Sequence, residues 1–201
     1  MPLGYIRTLS EWILKQALAQ WQTHFKELLP GIVPRLSVNV STVQFQQQNI
    51  YAWVSGLLDK CGIKPQHLEL EITESILMRD VNKAYSILSD LNDLGVRITL
   101  DDFGTGYSSL NYLSRFPLHT VKIDRSFIQN ITEDEKQFRL VRTIIRMGQD
   151  MELDVVAEGV ETESQLALLK ELECDLVQGY IFSRPQAAED LVRWLKNNGR
   201  A

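Results

Sequence analysis

The stretch Val96-Arg-Ile-Thr-Leu-Asp101-Asp102-Phe103-Gly-Thr-Gly-Tyr-Ser-Ser109 runs from an apolar, β-branched segment into two carboxylates and then into a glycine-rich loop. A segment of this kind reads as a buried strand, and the glycines after it allow backbone conformations that other residues avoid. The pattern repeats on both sides. Leu36-Ser-Val-Asn39 and Leu68-Glu-Leu-Glu71 precede it, and Val121-Lys122-Ile-Asp124, Val155-Val-Ala-Glu158 and Leu176-Val-Gln178 follow. Each run is succeeded by a helical pattern, so the order is βα repeated, which predicts parallel strands whose C-terminal ends share one face. The expected fold class is α/β, a TIM-type (β/α) barrel with its chemistry on that face. Asn39, Glu71, Asp101, Asp102, Glu158 and Gln178 would form an oxygen-rich ring there, suited to hard divalent cations.

The helices are read from apolar spacing and their stop signals. Leu9 to Leu28 carries Trp12, Ile13, Leu14, Ala17, Leu18, Trp21 and Phe25 at three- and four-residue intervals, and Pro30, Gly31 and Pro34 end it. Further helices are expected near Asn49–Lys60 with Gly62 as cap, Val81–Leu94 with Gly95 as cap, Leu110–Arg115, Glu133–Asp150, Thr162–Leu172 and Ala187–Asn198. Six strands fall short of the eight of a closed barrel. The expectation is one domain over residues 1–201 that lacks its first two strands, with both sheet edges open to pairing with another copy or an upstream domain.

Composition narrows the class. A chain of 201 residues with 44% hydrophobic content has enough material for one core. No apolar stretch approaches the roughly 20 residues that span a bilayer, and Met1-Pro-Leu-Gly-Tyr lacks the pattern of a signal peptide, so a cytoplasmic location is expected. The net charge is −5, from 21 basic and 26 acidic residues, and the basic residues are scattered. That argues against DNA binding, which needs a basic patch. A small phosphate ligand stays compatible, because bound metal inverts the field of an acidic site. Cys61 and Cys174 lie outside any zinc-ligand spacing and are expected to be buried, reduced thiols.

Each chemical reading has a plainer alternative. Adjacent aspartates repel one another unless a cation sits between them or one turns away to cap a helix. Lys122 shares a strand face with Asp124 and points toward the acidic ends, where it could orient a nucleophilic water or pair with Asp124 or Glu158. Glu74 and Glu161 each follow a strand-end glutamate by three residues. They read either as acids at helix N-termini or as tethers of the loops around the site.

The motifs together resemble the EAL domain, the family of bacterial cyclic di-GMP phosphodiesterases. The matching segments are Ser37-Val-Asn39-Val-Ser41, Leu68-Glu-Leu-Glu71-Ile-Thr-Glu74-Ser75, Asp101 to Leu110, Val121-Lys-Ile-Asp-Arg-Ser-Phe127, Val156-Ala-Glu-Gly-Val-Glu-Thr162 and Val177-Gln-Gly-Tyr-Ile-Phe-Ser-Arg-Pro185. The resemblance implies hydrolysis of cyclic di-GMP to pGpG with two Mg2+ or Mn2+ ions. Asn39, Glu71 and Asp101 would hold the first ion, and Asp101, Asp102 and Glu158 would surround the second. Lys122, Glu158 and Gln178 match catalytic positions, with Lys122 contacting the attacking water. Asp124, Phe182 and Pro185 are expected at the substrate, the last two against a guanine base. Glu74, and with it Glu161, would anchor loops, Glu74 the one from Phe103 to Ser109.

One departure bears on activity. The Glu-Ala-Leu segment that names the family, with its following arginine, belongs upstream of the first helix and does not occur in the 201 residues. Its absence would weaken the first metal site and impair turnover by this chain alone. The competing function is an inactive cyclic di-GMP-binding or protein-interaction module. The expected partners are cyclic di-GMP and a second copy, another EAL protein or an upstream sensory domain. An aldolase-like barrel is disfavoured, since the last strands carry no Schiff-base lysine or phosphate-binding glycine pair.

Overall fold

A computed structural model describes residues 3–25, 34–46, 49–104 and 113–198. They divide into two compact units, one formed by 1–71, 89–97 and 185–201 and the other by 72–88 and 98–184.

The first unit opens on α1 (Leu3–His24), whose Leu14, Leu18 and Trp21 are buried at helical spacing. Leu9, Trp12 and Ile13, expected on the same apolar face, are exposed instead. β1 (Leu36–Asn39) pairs in parallel with β2 (Leu68–Thr73), in a register that sets Asn39 opposite Glu71. Between them lie α2 (Thr42–Gln46), α3 (Ile50–Cys61) and a 3-10 turn (Pro65–His67). Gly62 ends α3 at φ 61°, a left-handed cap that costs glycine little. Glu69, on β2, accepts from Ser37 Oγ at 2.8 Å and lies within ion-pair range of Arg35 and Arg97.

α4 (Glu74–Arg79) and α5 (Val81–Leu94) lead into β3 (Arg97–Phe103). In the second unit β3, β4 (Thr120–Ile123), β5 (Asp154–Glu158) and β6 (Leu176–Gln178) pair in parallel, each with the next in the chain. Their connections contain α6 (Arg125–Ile128), α7 (Glu135–Asp150) and α8 (Glu163–Glu171); α9 (Ala188–Asn198) closes the chain. β4 is buried at every position, as a parallel strand covered on both faces must be. α7 lies close on the sheet through Gly148, where a Cβ would overlap the Val155 side chain.

All six expected strands are present within one or two residues of their predicted bounds. Asp124 is the exception at a strand end. It stands just past β4 as the N-cap of α6, its carboxylate accepting from Ser126 N at 3.0 Å. Cys61 and Cys174 are free thiols, partly rather than fully buried. The expected loop residues Thr105 to Ser109 and the first half, 110–112, of the Leu110–Arg115 helix lie outside the described residues.

Candidate metal centre

The aspartate pair sits on a β-bulge. Leu100 pairs with Val121 and Phe103 with Ile123, so Asp101 and Asp102 together oppose Lys122 alone. Successive residues of a regular strand point to opposite faces, and an extra residue breaks that alternation. Asp102 takes up the distortion at φ 55°, a left-handed conformation that aspartate tolerates better than most residues. Carboxylate oxygens of Asp101, Asp102 and Glu158 come within 4.8 Å of one another. Of the two readings of the aspartate pair, the geometry is that of a shared site.

Lys122 holds this cluster together. Its buried ammonium lies 2.5 Å from Glu158 Oε1, on the adjacent strand, and 3.5 Å from Asp101 Oδ1. Of the partners weighed for Lys122, Glu158 is the one it meets closely, while Asp124 spends a carboxylate oxygen on its helix cap. Burial pushes the Glu158 carboxyl above its ordinary value; the Lys122 contact opposes the shift, and the Asp101 and Asp102 charges add to it. Asp102 is shifted the same way, first by burial and then by Asp101 and Asp124. One lysine therefore does not offset the crowding of charge.

The donor set fits a divalent cation. Asp101 Oδ1 is buried and makes no hydrogen bond, with only the Lys122 ammonium at 3.5 Å to offset its charge. Three carboxylates clustered beside a bulge, with Asp102 and Glu158 raised above their ordinary values, are hard oxygen ligands of the type divalent cations prefer.

Gln178 ends β6 opposite Glu158 in register and is exposed. The loops beyond these two strand ends are joined by backbone bonds: Val160 N donates to Gln178 O at 3.1 Å, and Ile181 N to Val160 O at 3.1 Å. Glu74 is the first residue of α4, buried, and its Oε1 accepts from Gly104 N at 3.0 Å. Both readings of Glu74 are thus met at once, since it is a first-turn acid and also tethers the start of the loop after β3. Glu161 pairs with Arg125 at 3.2 Å ahead of α8. Of the other expected ligands, Asn39 ends β1 and Glu71 lies inside β2, followed there by Ile72 and Thr73; the two are register partners in the first unit, Asn39 exposed and Glu71 buried. Phe182 and Pro185 are exposed.

Comparison with known proteins decides the family. The family model described as "EAL domain" matches residues 2–185.

The chain belongs to the EAL domain family.

It is 40% identical over 192 residues to the signaling protein YkoW of Bacillus subtilis, covering 96% of this chain and 24% of that protein. It is 40% identical over 193 residues to the cyclic di-GMP phosphodiesterase NbdA of Pseudomonas aeruginosa, covering 96% of this chain and 24% of that protein. The solved MucR phosphodiesterase of Pseudomonas aeruginosa, in complex with c-di-GMP, superposes with a TM-score of 0.88 at 40% identity, over 94% of this chain and 75% of that one. The chain thus spans about a quarter of the length of these curated relatives. The likeness to solved EAL structures establishes the expected α/β barrel class. Among the described residues no helix is long and apolar enough to cross a membrane.

Two residues beside the strand-end loops escaped the sequence reading, Arg125 and Gln165. Arg125 packs over Gly159, where a Cβ would overlap its side chain, and reaches Glu161. Gln165 is buried on α8. The signal for Gln165 was present, because Thr162-Glu-Ser-Gln165 is the sequence of a capping box, which the structure forms.

Proposed function

We propose that this EAL domain binds cyclic di-GMP together with divalent cations and carries the machinery that hydrolyses it to pGpG. The observation that carries the reading is the buried Lys122 ammonium set between Glu158 and Asp101, beside a bulge that gathers three carboxylates. Asp101, Asp102 and Glu158 would hold one ion, and Asn39, Glu71 and Asp101 another, as Mg2+ or Mn2+. Bound there, the ions would supply Lewis acidity toward the attacking water. Lys122 would orient the attacking water and offset charge on it, Glu158 would fix the lysine, and Gln178 would help position the nucleophile. Asp124, Phe182 and Pro185 contact the substrate, and Glu74 and Glu161 hold the neighbouring loops.

The 201 residues contain no Glu-Ala-Leu segment, and slow turnover is expected of the chain by itself. Self-association, or pairing with another EAL protein or an upstream sensory domain, belongs to the proposal, as does a cytoplasmic location. The second reading, an inactive module that binds cyclic di-GMP or a protein, draws on that missing segment.

The purified chain is incubated with cyclic di-GMP and Mg2+ or Mn2+ and the products are separated for pGpG, with binding measured by calorimetry. Metal-dependent pGpG formation that disappears in Lys122→Met supports the hydrolase. Binding without turnover favours the inactive module, and neither binding nor turnover overturns both readings.

A further inference from the structure

α6 follows β4 and ends at Ile128 with Gln129 as its cap, while the β5–α8 loop follows Glu158 and contains Gly159 to Thr162. A single side chain, Gln165, bonds to both. Its Nε2 donates to the carbonyls of Ile128 and Gln129, each at 3.2 Å. Its Oε1 accepts from Glu161 N at 2.8 Å and Thr162 N at 3.0 Å. The carboxamide is buried, so the Gln129 carbonyl and the Glu161 and Thr162 amides would be hard to satisfy without it, whereas the Ile128 carbonyl also accepts from Ile131 N at 3.3 Å. Arg125 straps the same two segments on the outside: its stem covers Gly159, its guanidinium meets Glu161, and the Gln129 carboxamide oxygen, turned toward it, accepts from Nε at 3.0 Å.

Glu158 lies at the end of a strand whose next residue, Gly159, takes φ 70°. The direction of its carboxylate therefore depends on where the following loop is held. Lys122 is placed by β4 itself, whose ladder with β5 sets it opposite Val156. The ladder fixes the backbone separation of the two residues, and the 2.5 Å contact needs in addition that the loop after Glu158 be held in place.

We infer that Gln165 is a positioning residue, a buried crosslink between the C-terminal end of α6 and the β5–α8 loop that holds Glu158 against Lys122 and so preshapes the cation site. The inference rests on the proposed cation site for its effect on metal affinity, and on the chain's own geometry for its effect on the Lys122–Glu158 contact. Partners lying behind metal ligands change affinity by about 10- to 100-fold when removed, and that is the size of effect expected here.

The test uses Gln165→Glu, which keeps the oxygen that accepts from Glu161 and Thr162 but loses the donor to Ile128 and Gln129, and Gln165→Met, which loses both. Thr162→Ala is the control, because it removes the helix cap and leaves the carboxamide in place. Mn2+ affinity is measured by calorimetry well below each melting temperature, and metal-free crystal structures give the Lys122–Glu158 separation. The expected result is Mn2+ binding at least 10-fold weaker in a folded Gln165 variant, an opened Lys122–Glu158 pair, and unchanged affinity in Thr162→Ala despite its lower melting temperature. Affinity within twofold of the parent in a folded Gln165 variant overturns the inference. Should the parent itself bind no Mn2+, the cation site is rejected, and the crystal structures alone decide: a closed pair in the variant overturns the crosslink, and an opened pair upholds it.

Discussion

Gly179 meets the backbone of Val160 so closely that a Cβ on the glycine would overlap the Val160 carbonyl and amide. The approach lets the loops after β5 and β6 share two backbone hydrogen bonds, and a clash with main chain cannot be relieved by a rotamer change. Gly179→Ala is expected to destabilise the fold by about 2 kcal/mol or more, within or above the usual cost of overpacking. Urea unfolding monitored by circular dichroism measures it, and a change below about 0.5 kcal/mol would show the clasp to be loose.

Removing the central ammonium should separate stability from metal binding. In Lys122→Met the carboxylates of Asp101 and Glu158 lose their buried counter-charge, and breaking one partner of a buried pair costs about 3 kcal/mol. The site is left more negative, so Mn2+ should recover much of the lost stability while pGpG formation stays absent. Thermal denaturation with and without MnCl2 checks this; a variant as stable as the parent without metal, and indifferent to Mn2+, would contradict it.

Two pH dependences of opposite sign are expected without metal. Burial, and then neighbouring carboxylates in the case of Asp102, raises Asp102 and Glu158 above their ordinary values of 3.8 and 4.5. The folded state then holds these protons more tightly than the unfolded chain does, so their contribution to stability is present at low pH and is lost as pH rises through the raised values. Mn2+ competes with the same protons, and its affinity should fall on acidification at a higher pH than for ordinary carboxylates. His67 behaves oppositely. Its ring stacks on Trp21 at 5.3 Å between centroids, and burial, followed by Lys64, lowers its pKa below 6.5. Its contribution is full above 6.5 and is lost as pH falls below that value. Melting curves from pH 4 to 8 on the parent and His67→Gln separate the two, since only the slope below 6.5 should flatten in the variant.

Glu74 should report through the backbone. With its acceptor removed in Glu74→Ala, the Gly104 amide loses its 3.0 Å partner and should exchange with solvent at least about 10-fold faster. Hydrogen exchange read by NMR tests this, and an unchanged rate at Gly104 would assign Glu74 to its helix end alone.

Much of this was legible in the chain. The β-branched runs marked all six strands, and Val81–Leu94 matches its predicted span because Gly95 stops it. The helices Thr42–Gln46, Glu74–Arg79 and Arg125–Ile128 were missed because one turn is too short to display a 3.6-residue period. Asp124 looked like another strand-end carboxylate, yet capping a one-turn helix uses the same residue type. The partner of Lys122 could not be chosen from spacing, because period two places Asp124 on its face while the neighbouring strand, set only by tertiary register, brings Glu158. Neither the bulge at Asp101-Asp102 nor the bridging role of Gln165 leaves a periodic mark, since both arise from pairing between distant segments.

The bulge makes the length of β3 a chemical constraint as well as a structural one. Deleting Leu100 would restore an unbroken ladder with β4, an outcome that ordinary sheet stability favours. In that regular strand two successive carboxylates face opposite layers, and one of them is turned among the helices. The shortened strand would be better formed as secondary structure and would have lost the grouping of two aspartates with Glu158, so the proposed cation site depends on backbone irregularity at this point.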